Sequence, residues 1–222
     1  MKIQILVFII YIISISSFNL RQTKQRQSYD SYVFSLQWPS GYCKVNDCGI
    51  NLDSLEKNAL TIHGLWPSLK SGKMLQICTH GVRINEDNSE LFDLMRKYWP
   101  SFKGSSKEFW THEYNKHGYC MVQENGWDDY EDYFGNALYL YFRDYQNLLK
   151  EAFPDYKRRI IYNLDIKEMR EKIQKIIPGA TFKMTCQKGF IVGFNFYLEK
   201  DFTPSTKSRF ANSCSSGRLF FE

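Results

Sequence analysis

The chain has 222 residues, with 29 Lys and Arg against 24 Asp and Glu, 43% hydrophobic and 17% aromatic residues. That length sustains a real hydrophobic core in one domain or two small ones, and the mixed charge excludes an intrinsically disordered chain. With 13 Gly and 6 Pro, collagen-like and low-complexity classes fail as well, while 15 Tyr and 17 Phe leave rings to spare for stacking on planar ligands.

In chain order, Met1-Lys2 is a basic start, Ile3 to Ile15 is nearly all apolar, and Ser14, Ser16 and Ser17 are followed by a polar run. This predicts a secretory signal peptide over 1–16 and a mature domain over 17–222; the apolar run is short of the ~20 residues that span a bilayer. From Tyr32 the chain alternates, Tyr32, Phe34, Leu36 and Trp38 against Val33, Ser35 and Gln37, which predicts a strand ended by Pro39 and Gly41. A second short strand covers Leu60 to His63 and runs into Gly64-Leu65-Trp66-Pro67, and 68–88 reads as loop.

Helical spacing begins at Ser89 and stops at Pro100. Ser105 and Glu108 form a capping-box pattern for a helix carrying Phe109 to His117, with Gly118 as its expected C-terminal cap. The longest predicted helix runs from Trp127 to Lys150, and another from Asp165 to Ile177. Strands are expected at Thr181 to Cys186, Phe190 to Leu198 and Arg218 to Phe221. Strands at both ends around central helices predict a single α+β domain with a mainly antiparallel sheet. Trp38, Trp99, Trp110 and Trp127 read as core, His80 as a surface histidine and Lys157-Arg158-Arg159 as a solvated run.

Six cysteines, Cys43, Cys48, Cys78, Cys120, Cys186 and Cys214, in an exported chain predict three disulfides among 15 possible connectivities. Structural zinc would call for a Cys-x-x-Cys pair, which the sequence lacks.

Three of the four histidines fall in two short segments, Thr61-Ile62-His63-Gly64-Leu65-Trp66-Pro67 and Phe109 to Cys120. On a helix at about 100° per residue, Lys116 lies about 40°, Glu113 about 100° and His117 about 140° from His112. The cluster reads as a reactive site, the alternative being a solvated face laced with Glu113–Lys116 and Glu113–His117 pairs. A zinc peptidase needs histidines at i and i+4; here they stand at i and i+5. Two separated imidazoles can act as acid and base on either side of a phosphodiester, with a lysine and a third imidazole holding the anion. That scheme uses no metal and no cofactor.

Ile62-His63-Gly64-Leu65-Trp66-Pro67 and the later Trp110-Thr111-His112-Glu113-Tyr114-Asn115-Lys116-His117-Gly118-Tyr119-Cys120 resemble the two catalytic segments of the ribonuclease T2 family, secreted acid endoribonucleases. The resemblance extends over the mature chain, from Gln37-Trp38-Pro39 to the C-terminal cysteines. It implies His63 as general acid, His117 as general base, His112 as phosphate-binding histidine, and Glu113 with Lys116 supporting the phosphorane. Trp66, Phe109 and Gln37 would contact the substrate, Trp66 and Phe109 by lining base sites. It further implies disulfides Cys43–Cys48, Cys78–Cys120 and Cys186–Cys214, single-stranded RNA but not DNA as substrate, and low base specificity. The expected protein is a monomer with no membrane span, secreted or held in a lysosome or vacuole. Tyr114 stands where the family usually has Trp, Tyr119 where it has Thr, and Ser68 where some members place an Asp; Ser101-Phe102 occupies a stretch that helps choose the base in plant members. A non-enzymatic secreted recognition or signalling protein on the same scaffold is the alternative.

Overall fold

The computed structural model describes residues 28–69, 78, 81–206 and 214–222. The expected signal peptide and His80 lie outside the described residues.

The first strand, β1 (Ser31–Gln37), follows the alternation predicted for it. Trp38 and Pro39 do not simply end it. Pro39 occupies the first turn of a short helix, α1 (Pro39–Val45), where its fixed φ is pre-set and its missing N–H costs nothing. Gly41 lets that helix touch the sheet, since a Cβ there would overlap the carbonyl of Ile191. Strand β2 (Thr61–Ser68) takes in the whole Gly-Leu-Trp-Pro stretch. Helices α2 (Ser89–Tyr98) and α3 (Ser106–Glu113) start where predicted, capped by Asn88 and Ser105.

The Gly118 prediction is corrected. Gly118 is helical, the chain passes through it by a π-turn over Tyr114–Gly118 into α4 (Tyr119–Asn125), and the left-handed cap is Gly126 at φ 69°. Gly118 is there for contact: a Cβ would meet the rings of Tyr114 and Tyr133 at 2.8 Å. The long helix is also broken, into α5 (Tyr130–Leu140), a second π-turn (Tyr141–Tyr145) and α6 (Leu148–Ala152). Strand β3 (Ile161–Asp165), missed in the sequence because its outer residues are exposed and its pattern is short, leads into α7 (Ile166–Ile176). Strands β4 (Phe182–Gln187), β5 (Phe190–Leu198) and β6 (Ser216–Phe220) complete the sheet.

The six strands run in the order β2-β1-β5-β6-β3, with β4 on the other side of β5. All pairings are antiparallel except β5 with β6, so the sheet is mainly antiparallel, as predicted, with one parallel contact. One face packs on the helices: Phe34 meets Tyr145 at 5.1 Å, and Tyr145 meets Phe196 at 4.7 Å between ring centroids. Trp38, Trp99 and Trp110 are core residues as predicted, while Trp127 is only partly buried. The disulfides are Cys43–Cys48, Cys78–Cys120 and Cys186–Cys214, the pairing that the resemblance implied. Cys120 lies inside α4 rather than beyond a helix cap.

Candidate active site

The two histidine-bearing segments meet on the face of the sheet turned away from the main core. In β2, Leu36 of β1 pairs with Ile62 and Ser35 pairs with Gly64, so His63 is an extra residue in a β-bulge. Bulges re-aim side chains. This one resets the phase of the strand, so that Ile62 and Leu65, an odd number of residues apart, both enter the core, while Gly64 and Trp66 take the opposite face.

The indole of Trp66 is the hub. It lies 5.2 Å from the His63 ring and 5.3 Å from the His117 ring, and its Nε1 donates to Glu113 Oε2 at 2.7 Å. Glu113 Oε1 is 3.7 Å from His63 Nε2. Phe109, one helical turn before Glu113, closes on His63 from the other side at 5.4 Å. Gly64 makes room for this arrangement, because a Cβ there would overlap both Trp66 Nε1 and Glu113 Oε2. His112 and Lys116 are exposed at the rim, and His117 and Glu113 are buried at 3% and 2% exposure. His117 lies within the π-turn, on the same side as Glu113, and its ring reaches Trp66. Gln37 stands opposite Thr61, on the far side of the bulge, and is not in the ring cluster.

Core residues hold the frame. Trp99 Nε1 donates to the carbonyl of His63 at 2.8 Å, and Trp110 Nε1 donates to the carbonyl of Trp99 at 2.6 Å. The Tyr133 hydroxyl donates to the carbonyl of Leu65 at 3.0 Å. Asn115 pairs with both backbone groups of Val82, and the Cys78–Cys120 bond ties the same loop to the same helix. Sequence reasoning took Trp99 and Trp110 as packing only; the missed signal was that a buried indole N–H needs an acceptor. Ser68 and Phe102, noted as departures, are both buried, Phe102 against Tyr42, and Tyr114 packs among Tyr119, Tyr130 and Tyr133.

The electrostatics follow from this crowding. Although 35% of its side chain is exposed, the His63 ring is wedged between Trp66 and Phe109. That desolvation, with the charges of His112 and Lys116, lowers its pKa to about 4. Burial, then Lys116, His112 and His63, lowers His117 to about 3. Burial raises Glu113 to about 7, against the opposing pull of the Trp66 hydrogen bond and Lys116. With His63 at about 4 and Glu113 at about 7, the two groups, 3.7 Å apart, together hold one proton between roughly pH 4 and 7, and it rests on the carboxyl.

The sequence profile described as the ribonuclease T2 family matches residues 29–204. The chain belongs to the ribonuclease T2 family. Among T2 relatives it is 30% identical to Ribonuclease Rh of Rhizopus niveus over 207 residues, covering 84% of this chain and 80% of that protein. Identity to Ribonuclease DdI of Dictyostelium discoideum is 34% over 127 residues, which is 57% of this chain and 55% of that one, so the chain spans only about half of that relative. The fold matches the solved structure of RNase NT in complex with 5'-AMP with a TM-score of 0.72 at 26% identity, over 87% of this chain and 98% of that one. Among the described residues no helix is long and apolar enough to cross a membrane.

Proposed function

We propose that the protein is a secreted endoribonuclease that cleaves single-stranded RNA without a metal. The observation that carries this reading is the placement of two imidazoles, from separate segments, against one indole, with Glu113 bonded to that indole and His112 and Lys116 exposed at the rim. Family membership supports it, as does the nucleotide bound in the RNase NT structure. His117, neutral above about pH 3, is suited to take the proton from the 2′-OH. The 2′-oxygen attacks phosphorus, and the bond to the 5′-oxygen breaks as that oxygen takes a proton from His63. Glu113, 3.7 Å from His63 and protonated below about pH 7, can pass that imidazole the proton it delivers. His112 and Lys116 face the phosphate and offset the charge that grows on it. The product is a 2′,3′-cyclic phosphate, which water opens to a 3′-phosphate with the two imidazoles exchanging roles.

Three disulfides fit an oxidising compartment, extracellular, lysosomal or vacuolar. The test is cleavage of a mixed RNA with and without EDTA, with analysis of the new ends. Cyclic phosphate ends formed equally in both reactions are expected; activity abolished by chelation, or efficient cleavage of DNA, would overturn the reading.

A further inference from the structure

The face of the sheet that carries the site continues well beyond it. Directly paired residues project from the same face. Gly64 is opposite Ser35, Ser35 is opposite Asn195, and Asn195 is opposite Lys183, so one row crosses β2, β1, β5 and β4. The row begins beneath Glu113, whose carboxylate fills the space over Gly64. With strands about 4.8 Å apart, Lys183 starts about 14 Å from Gly64. The neighbouring row is Gln37, Gly193 and Thr185, where Gly193 lets β5 close on β1, since a Cβ there would overlap the carbonyl of Leu36. On the other side a small apolar ridge of Val33, Trp66 and Tyr197 walls the strip off.

The chemistry of this strip is one-sided. Ser35 Oγ donates to Asn195 Oδ1 at 2.8 Å, so the acceptor side of that amide is already engaged. Asn195, Lys183, Thr185 and Gln37 are all half-exposed, and among the described residues no carboxylate lies within ion-pair distance of Lys183. Amide and hydroxyl donors ending in an unpaired ammonium, with no acidic side chain in either row, suit an extended polyanion that enters or leaves the site. Ser35 itself is buried at 4% exposure beneath this strip. We propose that Asn195 and Lys183 bind the sugar–phosphate backbone of the RNA strand outside the scissile bond, with Lys183 on a phosphate and Asn195, held by Ser35, on the adjoining sugar or base. This rests on the ribonuclease reading and extends it from a dinucleotide site to a longer strand.

The experiment compares wild type, Lys183→Glu, Lys183→Arg and Asn195→Ala on a long oligouridylate and on the dinucleotide UpU. Lys183→Glu is expected to raise KM for the long substrate about fivefold or more, to reduce the salt slope of log(kcat/KM) by about 0.7, and to leave UpU unchanged. Lys183→Arg keeps the charge and is expected to behave as wild type, and Asn195→Ala to show a smaller loss on the long substrate only. In parallel, binding of a non-cleavable 2′-O-methyl oligouridylate is followed by fluorescence anisotropy and is expected to weaken by a similar factor in Lys183→Glu. An unchanged KM and salt slope, or an equal loss on UpU, overturns the track. If wild type cleaves neither substrate, the ribonuclease reading has failed, and the anisotropy series alone decides the track.

Discussion

Trp66 Nε1 and Glu113 Oε2 are 2.7 Å apart, in a buried contact that joins the strand segment of His63 to the helical segment of His117. The bond makes one indole responsible for two things, the orientation of a carboxylate and the wall against which both histidines rest. Replacing Trp66 by Phe keeps an aromatic wall but removes the donor. Because that hydrogen bond lowers the Glu113 pKa, its loss should raise it further. We expect kcat to fall by about tenfold or more, with KM for UpU changed less, measured by initial rates across pH.

Substituting either buried or half-buried imidazole tests the division of labour. His63→Ala and His117→Ala should each lower activity by at least ~10²-fold, with circular dichroism and Tm showing a retained fold. A His117→Ala protein that turns over RNA near the wild-type rate would remove the base from the mechanism.

The pH profile depends on the shared proton of His63 and Glu113. The active form needs that pair singly protonated and His117 neutral. The acid limb of kcat/KM then lies near pH 3–4 and the alkaline limb near 7, with a maximum at roughly pH 4.5–6.5. In Glu113→Gln, His63 must hold its proton against His112 and Lys116 unaided, so the alkaline limb should move down by about one pH unit or more. A maximum above about pH 7.5 in the wild type would contradict this account.

The same substitution has a stability signature. Glu113 has a folded-state pKa raised from 4.5 to about 7. Its neutral form is therefore favoured by the fold, and that stability is present below about pH 4.5 and lost as pH rises through about 7. Gln is neutral throughout. Glu113→Gln should melt several degrees higher than wild type at pH 8, and the gap should close below pH 4.5. Equal Tm values at pH 8 would show that the buried carboxylate costs nothing when ionised.

Gly64→Ala adds one carbon where Trp66 and Glu113 meet. The two side chains must part, so activity should drop by at least about tenfold while every charged group remains. Titration with a thiol reagent should find no free cysteine in the folded protein. Replacing Cys78 and Cys120 together should lower stability by about 2–5 kcal/mol, read from denaturant unfolding.

Much of this was legible in the sequence because chemistry and periodicity agreed. The alternation that begins at Tyr32, the Ser105 cap and the helix after Asp165 are local signals, and the structure keeps them. The two histidine segments were recognisable from residue types alone, and their meeting gives the Trp66–Glu113 bond that no single segment contains. What failed was the assumption of regular geometry. A glycine after a helical run reads as a cap, but Gly118 is helical because Tyr114 and Tyr133 need its empty side. The wheel over 112–117 assumed 100° per residue, and the π-turn breaks that spacing. Ile62 and Leu65, both apolar at odd separation in a strand, were an available sign of the bulge.

That bulge separates the proposed chemistry from its scaffold. His63 is supernumerary to the ladder: without it, Ile62 would still face Leu36, Gly64 would still face Ser35, and the alternation of core and open faces would run on without a break. A chain lacking this one codon would keep its strand pairing and its disulfides while losing the residue proposed to protonate the leaving oxygen. Loss of chemistry by a single in-frame deletion is thus a small step for this architecture, and it leaves behind the same sheet and the same crosslinks, free to be selected for recognition alone.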